Sequence, residues 1–275
     1  MALTELREQL RNNLGYPATL GSLLTDFVES GGLAREVNEV LQSLARHNVG
    51  VLSRLGTDML MLLEDGDFVL QLKKFQGTGG AALSSAENAY LCTSASDALV
   101  ILKGKGRKRV RRYKIDGAID LKVFAPGVGL QLLDEREYDG APVHERLSDM
   151  MVYEYCSDED FMMLRLAYRP FADQCWHFDR STLTSKFPSA GLMDQSALVN
   201  TAKVLGALGD RGALPHLLEL TGHPSHFVRW AAIQAVGLLD RGTTIDLLKR
   251  SVDDAHPHIR SMAAKVLTKI GAQNG

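Results

Sequence analysis

The segments "TAKVLGALGDRGA", "AIQAVGLLDRGTT" and "AAKVLTKIGAQNG" begin at residues 201, 232 and 263 and align beneath one another without a gap. The repeat step is 31 residues. Val204, Ala235 and Val266 share one position; Leu205, Val236 and Leu267 share the next; Leu208, Leu239 and Ile270 share a third. Between them lie "LPHLLELTGHPSHFVR" and "IDLLKRSVDDAHPHIR". Each reads as a helix, a turn containing Pro224 or Pro257, and the start of another helix. A single helical pair cannot bury its apolar stripe, so neighbouring pairs must stack on a shared core. An α-solenoid is therefore expected over 190–275. Two full units and a leading half-unit fall below the usual minimum of about three, so the stack is expected to pack on the rest of the chain.

The stretches "HPSHFVRWAAIQAVGLL" and "DAHPHIRSMAAKVLTKIG" carry a proline turn, an apolar residue followed by Arg, and an alanine-rich helix. In this they resemble the short HEAT-like repeats of many bacterial proteins, including the phycobilisome lyase HEAT-like family. The resemblance implies a helical stack that presents a protein-docking surface. Arg229, Trp230, His256 and Arg260 at the repeat turns are the candidate contacts. By the same resemblance, Arg229 and Arg260 take a structural role as the default. "HPSH" and "HPH" have the composition of metal-binding tracts, but both fall at the inter-helix turn, where polar residues belong in any case.

Ahead of the repeats the character changes twice. Leu3, Leu6, Leu10 and Leu14, then Leu20, Leu23, Leu24 and Phe27, then Val37, Val40, Leu41 and Leu44 fall at helical spacing, with breaks at "GYP", "SGG" and "NVG". This predicts a helical region over 1–62. From 63 to 187 come short runs such as "DFVLQLKKF", "DALVILKG", "RVRRYKI" and "DFMMLRLAY", separated by turn signals such as "KGKG", "APG" and "YDGAP". Seven or eight such strands predict an antiparallel barrel or sandwich. The fold class expected is thus α+β: N-terminal helices, a central cupin-like barrel or sandwich, and a C-terminal HEAT-like solenoid.

The helical lead-in, the strand count, and the segments "LVILKGKGRKRVRRYKI" and "LRLAYRPFADQCWHFDRSTLT" resemble the cupin barrel and its cysteine-dioxygenase-like branch. That resemblance implies iron held by two histidines at HxH spacing, a glutamate and a later histidine. The segment where HxH would fall, "SSAENAYLCTSASDALVILKG", contains no histidine. Glu87, His144 and His177 are the alternative ligand set, since non-haem iron requires imidazole and carboxylate donors that converge and leave open positions. The competing reading makes His144 a rim residue beside a turn. No cofactor is expected, with iron as the alternative if the barrel is catalytic.

Lys103, Lys105, Arg107, Lys108, Arg109, Arg111, Arg112 and Lys114 crowd one acid-free stretch, while 134–160 is rich in Asp and Glu. Either the basic hairpin pairs with acidic strands and keeps sheet edges soluble, or Lys105, Arg107, Lys108, Arg109, Arg111 and Arg112 contact phosphates or another anion. The net charge of −2 gives no general steering towards polyanions.

No apolar run reaches the roughly 20 residues that span a bilayer. The N-terminal "MALTELREQLRNNLG" lacks the apolar core of a signal peptide. Three widely spaced cysteines argue for a reducing compartment. A cytoplasmic protein off the membrane is expected. The functional expectation is a non-enzymatic binding or scaffold protein with a protein partner, the barrel taking a small ligand or a partner. The alternatives are a cupin-type iron oxygenase and a nucleic-acid binder acting through 103–114.

Overall fold

The computed structural model describes residues 1–46, 59–77, 89–117, 119–146, 150–170 and 172–273. The break "NVG" and Glu87 lie outside the described residues. The chain divides into two compact units. The first comprises Met1–Ile119, Pro126–Ala172 and His177–Lys186; the second comprises Asp120–Ala125, Asp173–Trp176 and Phe187–Gly275.

The first unit opens with helices α1 (Leu3–Asn12), α2 (Pro17–Glu29) and α3 (Gly32–Ala45). Pro17 occupies the first turn of α2, where its missing N–H costs nothing. Gly31, at φ +74°, makes the left-handed break before α3. Leu6 and Leu10 of α1 and Leu20, Leu24 and Phe27 of α2 are buried, one stripe on each helix. They pack into one core with Leu70, Leu99, Leu164, Leu166 and Tyr168.

Those last residues belong to an antiparallel sheet of five strands: β1 (Met59–Asp65), β2 (Phe68–Phe75), β9 (Phe161–Pro170), β4 (Ser96–Gly104) and β7 (Val143–Glu145), in that spatial order. Strand alternation divides its two faces. Leu70 and Leu99 both pair with Leu166 and face the helices. Val100, Leu102, Phe161 and Met163 turn the other way, towards Val110 of a second sheet. That sheet runs β6 (Leu130–Glu137), β5 (Lys108–Ile115), β8 (Met151–Ser157). A third contains β11 (Ser185–Ala190), β10 (Gln174–Asp179) and β3 (Tyr90–Cys92).

Among the described residues the closed barrel is not formed. The described strands make three sheets, and the largest is a sandwich layer covered on both faces. Helices occupy one side, so both members of Met162–Met163 find apolar neighbours, on opposite faces.

In the second unit the helical repeats run α4 (Met193–Leu208), α5 (Leu214–Leu220), α6 (His226–Leu239), α7 (Arg241–Ser251) and α8 (Pro257–Gln273). Gly209 ends α4 in the left-handed conformation at φ +70°. Ala202, Leu217, Ala235, Val236, Leu239 and Leu247 form the core of the first repeat. Ile233, Leu248 and Ala263 continue it, with Trp230, Val252 and Val266 against them. α4 and α6 cross closely: a Cβ on Gly206 would lie 2.9 Å from the Ala235 Cα. Among the described residues, no helix is long and apolar enough to cross a membrane.

Candidate functional site

His144 sits in β7 opposite Leu99, on the helix-covered side of the five-stranded sheet. Its Nε2 lies 2.8 Å from the hydroxyl of buried Tyr168. His177 belongs to a different sheet, where it pairs with Cys92 and places Nε2 3.8 Å from the Cys92 Sγ. Burial lowers the His177 pKa. Among the described residues, no group of three or more His, Cys, Asp or Glu side chains could hold a metal ion.

The neighbour of His144 in the strand, Glu145, faces the inside of the sandwich instead. Its Oε1 accepts from the Tyr155 hydroxyl at 2.6 Å, and its Oε2 lies 3.4 Å from Arg165 Nη2. Arg165 Nη2 also donates to Ser94 Oγ at 2.6 Å. Burial, then the Glu145 carboxylate, pushes the Tyr155 phenol well above its usual range. The cation and anion are matched, so this network ties β7, β8 and β9 together more than it exposes a reactive group.

A second carboxylate is buried on the opposite face of β8. Glu154 has a side-chain exposure of 4%. It pairs with Arg180, lies 3.5 Å from Arg111 Nη1, and accepts from Tyr113 OH at 2.6 Å. Burial and then Glu154 raise the Tyr113 pKa. Beside it, burial and then Glu154 push the Cys156 thiol up to about 11, which leaves a neutral and unreactive side chain.

The basic hairpin is largely occupied by the protein's own acids. Arg107 pairs with Glu137, Arg109 and Arg111 with Glu135, and Arg112 with Asp134. The reason is register: β5 and β6 set Arg112 opposite Asp134 and Arg111 opposite Glu135. Lys108 Nζ donates to the carbonyls of Gly104, Lys105 and Gly106, closing its own turn.

In the repeats the turn residues are engaged in building the turns. Arg229 Nη2 and Nε hold Asp254 Oδ1 and Oδ2 at 2.7 and 3.0 Å. Arg229 Nη1 also donates to the His223 and Pro224 carbonyls. Arg260 Nη1 donates to the carbonyls of Asp254 and Ala255, the same device one repeat later. Trp230 packs into the inter-repeat core, and His256 Nε2 lies 3.3 Å from the Lys122 carbonyl. What remains open is apolar surface on the helices. Val204 and Leu208 of α4 are 56% and 73% exposed, and Leu238 of α6 is 68% exposed.

Glu145, Arg165 and Glu154 were not identifiable from the sequence. "VHE" shows that His144 and Glu145 point to opposite sides, but not which side is interior.

No curated protein matches the chain. Among solved structures it is similar to a hydroquinone 1,2-dioxygenase in complex with Cd2+ and 4-hydroxybenzonitrile. The identity is 13%, the match covers 45% of this chain and 71% of that one, and the TM-score is 0.29. It is also similar to the hydroquinone 1,2-dioxygenase of Sphingomonas sp. TTNP3, at 13% identity, 43% and 71% coverage and a TM-score of 0.30. A third likeness is to the capsular polysaccharide assembling protein of Staphylococcus aureus, at 11% identity, 55% and 43% coverage and a TM-score of 0.25. Residues 190–268 match the family of HEAT repeats, and the match covers less than half of the chain.

Proposed function

We propose that this chain is a non-enzymatic scaffold or binding protein whose repeat segment docks a protein partner. The observation that carries this reading is the HEAT-repeat match over 190–268, on helices that leave Val204, Leu208 and Leu238 in solvent. Helical repeats stack edge to edge, and their open faces serve as extended docking surfaces. Large apolar side chains on a helix face, held by a rigid stack, suit a partner that buries them. The polar turn residues are already engaged within the fold, so the energy of docking comes from the apolar helix faces.

The test is quantitative capture of cellular partners by the purified chain and by a variant carrying L208Q and L238Q. The expected result is a stoichiometric partner retained by the natural chain and lost by the variant, with both equally folded. A partner held equally by both, or no specific partner, overturns the reading.

A further inference from the structure

We infer that His226 is a proton-operated latch on the joint between successive repeat turns: uncharged, it lies stacked on His256, and once protonated it leaves the stack for the carboxylate of Asp173. Every residue of the latch belongs to the second unit. The device is independent of whether the repeats dock a partner.

The closed position is built by both turns. His226 begins α6, and His256 stands just ahead of α8. Their rings lie nearly parallel, with centroids 3.6 Å apart. Asp254 fastens the same joint. Its Oδ1 accepts from the His256 backbone N–H at 2.7 Å, and its two oxygens hold Arg229 in the first turn of α6. His256 is itself held at both nitrogens. Nδ1 accepts from the His258 backbone N–H at 3.3 Å, and Nε2 lies 3.3 Å from the Lys122 carbonyl. A neutral imidazole with its proton on Nε2 satisfies both. The face offered to His226 therefore belongs to an uncharged ring.

His226 has no comparable support for a charge. It is 2% exposed, and among the described residues its Nδ1 has no hydrogen-bond partner. An imidazolium donates from both nitrogens. Phe227 and Arg229 act on the ring from α6 itself, and Asp254, His256 and His258 from the next turn. Asp254 is the counter-ion of Arg229. Asp173, at the start of the second unit's share of β10, is left to receive a charged His226. Its Oδ2 is 3.8 Å from Nδ1, its side chain is 42% exposed, and its carbonyl is anchored by the Gly191 N–H at 2.9 Å. A charge-assisted hydrogen bond is about 2.8 Å long, so the ring has to move to make it.

The direction of the switch follows from access to water. In the stack the His226 pKa is held down to about 3, by burial first and then by His256, His258 and Arg229, with Asp254 opposing. Off the stack the ring takes a proton near pH 6.5. Falling pH therefore favours the open position progressively between these two values. Ile233, Leu248 and Ala263 tie α6, α7 and α8 through an apolar core that includes none of these groups. The joint thus opens at its turns while the helices stay packed.

The experiment is NMR of the full chain labelled at histidine, from pH 7.5 to 4, with amide exchange followed in parallel. The His226 and His256 ring signals should lose their mutual ring-current shifts together. The amides of Arg229, His256 and His258 bond within the turns. Their exchange should accelerate about tenfold or more between pH 7 and 5, beyond the intrinsic effect of pH. Ile233 and Ala263 should keep their protection. H226F should abolish the acceleration. D173N should move the opening to lower pH, because the charged ring loses its receiver, and it keeps the test open should H226F fail to fold. Rings that stay stacked down to pH 4, turn amides that open equally in H226F, a D173N titration identical to that of the natural chain, or protection lost evenly across α6–α8 overturns the inference.

Discussion

The imidazole rings of His226 and His256, from successive repeat turns, lie stacked with centroids 3.6 Å apart and planes 6° from parallel. His226 is 2% exposed, and among the described residues its Nδ1 has no hydrogen-bond partner. Asp173 is 3.8 Å from that atom, His258 stands at 6.1 Å between ring centroids, and Arg229 of the same helix is bound to Asp254. Burial first, then His256, His258 and Arg229, hold the His226 pKa down to about 3, with Asp254 opposing. The unfolded chain takes up the proton near pH 6.5. Stability is therefore full above that value and falls as pH drops towards the folded value. A loss of about 2 kcal/mol between pH 7.5 and 5 is expected from this group. Denaturant melts of the natural chain and of H226F should show it: the variant keeps an aromatic ring in the stack and should lack that share of the pH dependence.

Glu154 predicts a large response to a single truncation. Removing a buried carboxylate takes from Arg180 the counter-charge it pairs with and from Tyr113 its acceptor, while Arg111 keeps Glu135. E154A should cost about 2–4 kcal/mol in urea unfolding. In the natural chain Cys156 should resist alkylation at pH 8 until the protein unfolds, because its thiol is buried and titrates near 11. Peptide mapping after labelling distinguishes it from exposed Cys92.

At Gly206 the expected outcome runs against helix propensity. Alanine in a helix interior is favoured over glycine by about 1 kcal/mol. Here an added Cβ would meet the Ala235 Cα at 2.9 Å and its Cβ at 3.0 Å, so α4 and α6 would have to separate. G206V should destabilise the repeats by about 1–3 kcal/mol, read from thermal melts.

The hairpin cations can be tested by removing their partners. D134N/E135Q would free Arg109 and Arg112 from the carboxylates that now hold them and leave Arg111 with Glu154 alone. The variant should elute from a heparin column at higher salt than the natural chain. Equal elution would mean that the pairing does not mask these cations.

Much of the helical part was readable in advance because a helix writes its own burial pattern. The 31-residue step, the proline turns and the Val228–Arg229 and Ile259–Arg260 pairs correspond to real helices and turns. Of the N-terminal apolar residues at helical spacing, Leu6, Leu10, Leu20, Leu24, Phe27 and Val40 are buried, whereas Leu41 is 57% exposed. The charge asymmetry was readable too, as "RKRVRR" and "LDERE" turn out to be neighbouring strands. His144 shows the limit. Its rarity in the strand region made it conspicuous, yet it lies on the helix side of its sheet while Glu145 joins Arg165 and Tyr155 within the sandwich.

The sequence by itself determined where the helices repeat, where several of the longer strands fall, and which segments carry opposite charge. Those properties follow from periodicity and from turn residues, which act over a few positions along the chain. Only the tertiary structure decided that the described strands form three sheets with no closed barrel among them, and which face of each strand is interior. It alone decided that Val204 and Leu208 are open while their repeat equivalents are covered. Alternation marks two faces without naming the side that meets a neighbour. That choice depends on elements distant in sequence, here α1–α3 on one side of the main sheet and β5 and β8 on the other.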